Sequence, residues 1–242
     1  MASAVQHLES DLRFECMVLS HTLLTRTLHK ILITKPKLFE YKAGNYIKIY
    51  LKDNTYRLYS IANTPHHPYI ELHIQEPSQD NYIKNFLRTL KTNENIFISD
   101  SMGNLVYPPK INQATLFVAG GYAFAPFKAI IESLCIEGGV TFPIFLYWGI
   151  SNISDAYYQN ELQKIKRDVE WFDFKVILSK SATKWKGDSG NLLDFIFYDD
   201  NNLDRHNMYV CGSMSMVSTI YHKALRHNLL PSNFYSDYDL TT

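Results

Sequence analysis

The sequence predicts two domains: an N-terminal antiparallel β-barrel, then an α/β domain built on a parallel sheet. Three observations predict this. From Leu12 to Asp100 the apolar residues recur mostly with period two, the signature of half-buried strands. Beyond that, short apolar runs alternate with stretches of helical spacing, the pattern of strands joined by crossover helices. Between the two regimes stands Tyr107-Pro108-Pro109-Lys110, where two prolines stop strand pairing and stiffen a linker. The domains are accordingly read as 1–107 and 110–242.

In the first half, Ile31 and Ile33 lie in a Thr-rich strand run, Thr25–Thr34. Ile47, Ile49 and Leu51 alternate with Tyr46, Lys48 and Tyr50. Ile70, Leu72 and Ile74 alternate with Tyr69, Glu71 and His73. Ala43-Gly44-Asn45, Asp53-Asn54 and Pro65–Pro68 supply the turns. Ile83, Phe86, Leu87 and Leu90 instead mark one face of a helix. Many short strands with a single helix predict a small barrel.

In the second half, strands are predicted at Leu116–Ala119, Pro143–Trp148, Phe172–Leu178 and Met208–Cys211, with a final strand over Asn233–Tyr238. Helices are predicted at Phe124–Leu134, Asp155–Arg167, Asn191–Phe197 and Met214–Arg226.

Composition narrows the function. Hydrophobic residues make up 46% and charged residues 20% of the 242, which fits a packed core rather than disorder. Lys+Arg and Asp+Glu balance at 24 each, which argues against a nucleic-acid partner. Cys16, Cys135 and Cys211 are far apart and the nine histidines show no ligand spacing, so no metal site is expected. The N-terminus lacks a basic segment followed by an apolar one, and no window approaches about 18 consecutive apolar residues. A cytoplasmic protein without a membrane span is expected.

Three predicted strand ends carry residues that suit a nucleotide-type ligand. Gly120-Gly121 follows the first parallel strand, Trp148-Gly149-Ile150-Ser151 the second and Cys211-Gly212-Ser213-Met214 the fourth. Glycine lets backbone approach a ligand closely, and the N–H groups of a following helix suit a phosphate. An ordinary strand–helix corner is the alternative for any one of them. In the barrel, Arg57-Leu58-Tyr59-Ser60 combines a charged fork suited to phosphate, a flat ring face and a small hydroxyl. Its alternative is a plain strand with one exposed arginine.

The order of these motifs resembles the ferredoxin–NADP⁺ reductase superfamily, and specifically its stand-alone NAD(P)H:flavin oxidoreductases, the flavin reductases. Ala43–Ile47, Arg57–Ser60, Glu71–Ile74, Val118–Pro126, Tyr147–Gly149, Trp185–Gly190 and Tyr209–Met216 carry the resemblance over nearly the whole chain. It implies that a flavin ring (FMN, FAD or riboflavin) lies against Arg57, Leu58, Tyr59 and Ser60 and the strand His73, Ile74 and Gln75, with Ser60 as the catalytic contact near N5. It also implies that NADH or NADPH is held by Ala119, Gly120, Gly121, Tyr122, Ala123 and Pro126 together with Cys211, Gly212, Met214 and Met216. Hydride transfer from nicotinamide to flavin is then the expected reaction. No cluster-binding cysteine run is present, so any electron acceptor protein is expected to be external.

Two departures from the family pattern bear on the expectation. Members that hold flavin tightly open the barrel helix with Gly-x-x-Ser/Thr, where this chain has Asn81 and Lys84. Loss of that cradle implies a flavin held by its ring and used as a diffusible substrate, although Lys84 offers a point charge. The second departure is Ala123, where the family has a further glycine. An alanine at φ > 0 there costs on the order of 1 kcal/mol. Two other readings stay open: a reductase with tightly bound FAD that serves an oxygenase or iron–sulfur partner, and a reductase-like module that has lost its chemistry.

Overall fold

The computed structural model describes residues 12–52, 55–77, 79–107, 113–198 and 202–238. The turn expected at Asp53-Asn54 and the linker prolines Pro108-Pro109 with Lys110 lie outside the described residues. By packing, the chain divides into two units: residues 1–107 with 125–133, and residues 108–124 with 134–242.

The first unit is a six-stranded antiparallel sheet. Its strands are β1 (Arg13–Leu23), β2 (Leu28–Thr34), β3 (Tyr46–Tyr50), β4 (Tyr56–Ser60), β5 (Tyr69–Gln75) and β6 (Asn95–Ser99), in the order β4-β3-β6-β1-β2-β5. Just past β4 the sheet closes on itself: Ile61 bridges Leu72, and the Ala62 N–H donates to the Glu71 carbonyl at 2.8 Å. The Thr25–Thr34 run yields a strand only from Leu28, because Thr25 Oγ1 accepts the N–H of Leu28 at 3.1 Å and makes a turn first. Period-two residues fill the interior: Ile31, Ile33, Ile47, Ile49, Ile70, Leu72 and Ile74 are all fully buried. The helix α1 (Asn81–Thr89) turns Ile83 and Leu87 onto this core.

The second unit is a six-stranded sheet of parallel pairs. Its strands are β7 (Ala114–Gly120), β8 (Ile144–Ile150), β9 (Phe172–Leu178), β10 (Asp188–Ser189), β11 (His206–Cys211) and β12 (Phe234–Tyr235). The helices are α2 (Ala125–Glu137), α3 (Gln159–Asp168), α4 (Leu192–Ile196) and α5 (Met214–Arg226). Helix α5 has the predicted bounds, because Ser213 caps it and Val217, Ile220 and Ala224 form its buried stripe. Helix α3 begins later than predicted. Asp155 is consumed in a tight turn, where its carboxylate accepts the Asn152 N–H at 2.9 Å. Tyrosines scattered in sequence are gathered by register: Tyr209 stacks on Tyr235 at 4.3 Å and meets Phe117 edge-on at 5.6 Å.

Residues 125–133 of α2 pack within the barrel unit. There Lys128 is buried, with its Nζ 2.9 Å from the Ala62 carbonyl, 2.9 Å from Glu132 and 3.3 Å from Glu71. His73 Nε2 lies 2.7 Å from the same Glu71 carboxylate and donates to it. Burial opposes ionisation of Glu71, but the His73 hydrogen bond and the Lys128 charge outweigh it and hold the carboxyl at about 2. Breaking a buried pair from one side leaves an uncompensated charge, a loss of about 3–5 kcal/mol. Lys128→Met is therefore expected to destabilise the protein by about that amount in urea titrations. Because the folded Glu71 value lies below its ordinary 4.5, its contribution is complete above that pH and is lost as pH falls toward about 2. Wild-type stability should decline over this window, and Lys128→Met should decline less steeply.

Candidate functional site

The parallel sheet has the order β10-β9-β8-β7-β11-β12. From β7 the chain steps outward through β8 and β9, then returns to place β11 on the other side of β7. The switch point therefore falls between β7 and β11, and ligands of open α/β sheets bind beyond the carboxyl ends of such a pair. Of the three predicted strand ends, these are the ones carrying Gly120-Gly121 and Cys211-Gly212. Register sets Ala119 opposite Cys211 on one side and Trp148 on the other. The sheet thus brings the predicted nicotinamide residues of both segments together.

Each glycine here has a distinct physical reason. Gly121 has φ +57° with open space where a Cβ would stand, so the backbone conformation alone demands glycine. Gly120 and Gly212 are closely approached: a Cβ would lie 2.6 Å and 2.7 Å, respectively, from Met216 Sδ. Ala123 does not share this strain, since Asn93 and Asn228 are the positive-φ non-glycine residues among those described. The departure at Ala123 therefore costs no backbone strain.

Gly121–Phe124 forms a 3₁₀ turn that leads into α2, with Pro126 buried in the first helical turn. The start of α2 has no side-chain cap and no acidic residue. Trp148 fixes the turn: its indole N–H donates to the Gly121 carbonyl at 2.8 Å and its ring stacks on Phe124 at 4.3 Å. The Tyr122 hydroxyl donates to Asp155 at 2.8 Å, so the tyrosine is tethered. Burial pushes the Cys211 thiol up to about 12, so it is a neutral group and not a nucleophile. Met214 is exposed at the first position of α5. Tyr238, which the motif reading passes over, donates from its hydroxyl to the Gly212 carbonyl at 3.2 Å.

In the barrel, Arg57–Ser60 is the strand β4 itself, paired with Tyr46–Ile49 of β3. Leu58 is exposed, whereas Tyr59 packs against the barrel core and burial raises its hydroxyl's pKa. The Ser60 hydroxyl makes no hydrogen bond among the described residues, so its donor and acceptor are both available. On β5, Ile74 belongs to the core and Gln75 is exposed. The His73 ring is turned away into the Glu71–Lys128 cluster with 1% side-chain exposure. Burial lowers its pKa, so it is neutral at physiological pH and offers a ligand its backbone alone.

Sequence reasoning missed Asp80. It is the N-cap of α1: Oδ1 accepts the N–H groups of Tyr82 and Ile83 at 3.1 and 3.2 Å. Its Oδ2 accepts Arg57 Nε–H at 2.9 Å. Burial opposes ionisation, but Arg57 and the two amides hold the carboxyl below its ordinary range. Arg57 Nη1 is spent on the Tyr56 carbonyl at 2.9 Å and Thr55 Oγ1 at 3.3 Å. An Asp immediately before the first apolar helical position is a legible cap signal.

Residues 117–222 match the family model described as the oxidoreductase NAD-binding domain. A probable flavin reductase of Photobacterium leiognathi is 27% identical over 85% of this chain and 89% of its own length. A reductase component of terephthalate 1,2-dioxygenase from Comamonas is 28% identical over 95% of this chain and 69% of its own length. Among solved structures, a cytochrome P450 reductase from Amycolatopsis shares the fold with a TM-score of 0.85 at 19% identity, covering 98% of this chain and 73% of that one. A ferredoxin NADP⁺ reductase from Neisseria gonorrhoeae, solved with FAD and NADP, gives 0.76 at 18% identity over 89% and 91% of the two chains. The fold and the switch-point turn thus define a two-unit reductase with an oxidoreductase NAD-binding domain. Residues 117–222 match an oxidoreductase NAD-binding domain, and over most of its length the chain is similar to flavin reductases and oxygenase reductase components.

Two substitutions separate the glycine roles. Gly121→Ala should cost about 1 kcal/mol or more from the left-handed backbone alone. Gly120→Ala should be rescued by Met216→Ala, whereas Gly121→Ala should not. Denaturant midpoints of the single and double variants read the difference.

Proposed function

We propose that this protein is an NAD(P)H:flavin oxidoreductase that uses flavin as a diffusible substrate. The observation that carries the reading is the state of β4: among the described residues the Ser60 hydroxyl makes no hydrogen bond, while the Arg57–Asp80 pair and the α1 start are already satisfied. A flavin there is held through its ring by Arg57–Ser60 and the β5 backbone at His73–Gln75, without a phosphate grip. The flavin supplies N5 as hydride acceptor, and transfer requires nicotinamide C4 at van der Waals contact with it, so catalysis is mainly positioning. Ala119–Ala123, Pro126 and Cys211–Met216 are the proposed nicotinamide contacts. Names of relatives, flavin reductases from Photobacterium leiognathi and Vibrio harveyi, support the reading. No described helix is long and apolar enough to cross a membrane, and a cytoplasmic location is proposed with it.

The second reading, a reductase with resident FAD that passes electrons to an external protein, is favoured by the likeness to the dioxygenase reductase component. Flavin retention separates the two. Ring stacking and a few hydrogen bonds typically give micromolar binding, roughly −8 kcal/mol, which is lost on a column. The purified protein is expected to be colourless and to oxidise NADH or NADPH once riboflavin, FMN or FAD is added. A yellow protein with nanomolar FAD retention would select the second reading.

Ser60→Ala should slow flavin reduction by up to about tenfold, the equivalent of one neutral hydrogen bond of about 0.5–1.5 kcal/mol, while circular dichroism stays unchanged. Unaltered turnover would show that Ser60 does not face the reacting ring.

A further inference from the structure

We infer that Asp155 is a positioning residue for the nucleotide turn: through the Tyr122 hydroxyl, its carboxylate sets the affinity for NADH or NADPH. The inference rests on the proposed nicotinamide contacts at Ala119–Ala123 and deepens that reading. Tyr122 lies two residues past the end of β7, beside the switch point, and is half-buried. The turn that carries it, Gly121–Phe124, is a four-residue 3₁₀ segment, whose own hydrogen bonds have poor geometry.

Both ends of that turn are held by Trp148. Its indole N–H donates to the Gly121 carbonyl at 2.8 Å, and its ring stacks on Phe124 at 4.3 Å. Tyr157 and Tyr158, from the segment after β8, meet the same Phe124 ring at 6.1 and 5.6 Å. These contacts dock the two segments without help from Asp155. The Tyr122–Asp155 bond therefore adds orientation to a docking that aromatic packing already secures.

Asp155 is a fixed anchor. It is 5% exposed, and its Oδ2 accepts the Asn152 backbone N–H at 2.9 Å and the Asn152 side-chain amide at 3.1 Å. Its own N–H donates to the Asn152 carbonyl at 2.9 Å. Oδ1 is the oxygen that reaches the Tyr122 hydroxyl, at 2.8 Å. A carboxylate acceptor makes such a bond about twice as strong as a neutral one. A tyrosine held at Cβ and at its hydroxyl cannot swing, so its ring keeps one orientation before a ligand arrives. Ordering a loose side chain on binding weakens affinity, and the tether does that ordering in advance. The hydroxyl proton is spent on Asp155, so Tyr122 offers a ligand its ring and no donor.

The test is the dissociation constant of NADH and of NADPH by titration calorimetry without flavin, with riboflavin measured in parallel. Tyr122→Phe keeps the ring and cuts the tether, and Asp155→Ala removes the anchor. Each is expected to weaken binding of the preferred nucleotide about tenfold, equivalent to about 1.4 kcal/mol, with riboflavin binding unchanged. The double variant should bind no more weakly than Asp155→Ala alone, because both changes break one bond. With flavin saturating, KM for the nucleotide should rise while kcat holds, the mark of an interaction equally strong in ground and transition states. Should Asp155→Ala fail to fold, Tyr122→Phe decides by itself. Unchanged nucleotide binding in Tyr122→Phe, or losses that add in the double variant, overturns the role of Asp155 and leaves the reductase reading standing. A wild type that binds neither NADH nor NADPH overturns that reading and this inference together.

Discussion

One buried ammonium holds the barrel's two candidate binding strands in place. The ring closes through the Ile61–Leu72 bridge and the Ala62–Glu71 hydrogen bond, and Lys128 bonds to the Ala62 carbonyl and the Glu71 carboxylate, the same two residues. It thereby ties the end of β4, which carries Arg57–Ser60, to β5, which carries His73–Gln75. A buried ion cluster is weak evidence for net stability, since desolvation opposes its attraction. Its clearer effect is on register. Sliding β5 by one residue would turn Glu71 and His73 into the apolar barrel core and strand Lys128 without its partner. Position, which is most of what hydride transfer asks of a protein, is thus fixed by electrostatics one layer behind the ligand face.

The fold was legible where the signal is local. The change of period from two to helical spacing lies within single elements, and helix α5 was readable to its ends because Ser213 and the stripe Val217, Ile220 and Ala224 are close in sequence. The predicted motif segments at Ala119–Gly121 and Cys211–Gly212 also meet as adjacent strands. The switch point that joins them was not legible, because it depends on β11 returning beside β7 across almost ninety intervening residues. Lys128 was hidden for a different reason. Helical spacing makes a lysine look solvent-facing, yet it is 6% exposed, since its partners come from the segment just past β4, from β5 and from the next helical turn.

Asp80 is a group whose full role no local pattern announces. Asn81 and Lys84 stand where a phosphate cradle would be, and that absence by itself argues for weak phosphate binding. The structure adds the Asp80 carboxylate, which holds Arg57 and caps α1. The pair Arg57–Asp80 spans 23 residues, so no local pattern records it. Ala123 is the converse case: the alarm raised by its side chain fades because the left-handed residue of the turn is Gly121, two positions earlier.

The starts of α1 and α2 differ electrostatically. Helix α1 carries its own anion in Asp80, whereas α2 opens with no capping side chain, no acid in its first turn and a proline that donates no N–H. A helix dipole left uncompensated attracts anions, and one already capped by a carboxylate does not. Of the two ligands in the proposed reaction, the nicotinamide nucleotide must carry phosphates, because its two halves are joined through them. Flavin need carry none for its ring to accept a hydride. On the proposed reading, that difference in ligand chemistry sets α1, capped by its own carboxylate, apart from α2, which carries no acid at its start.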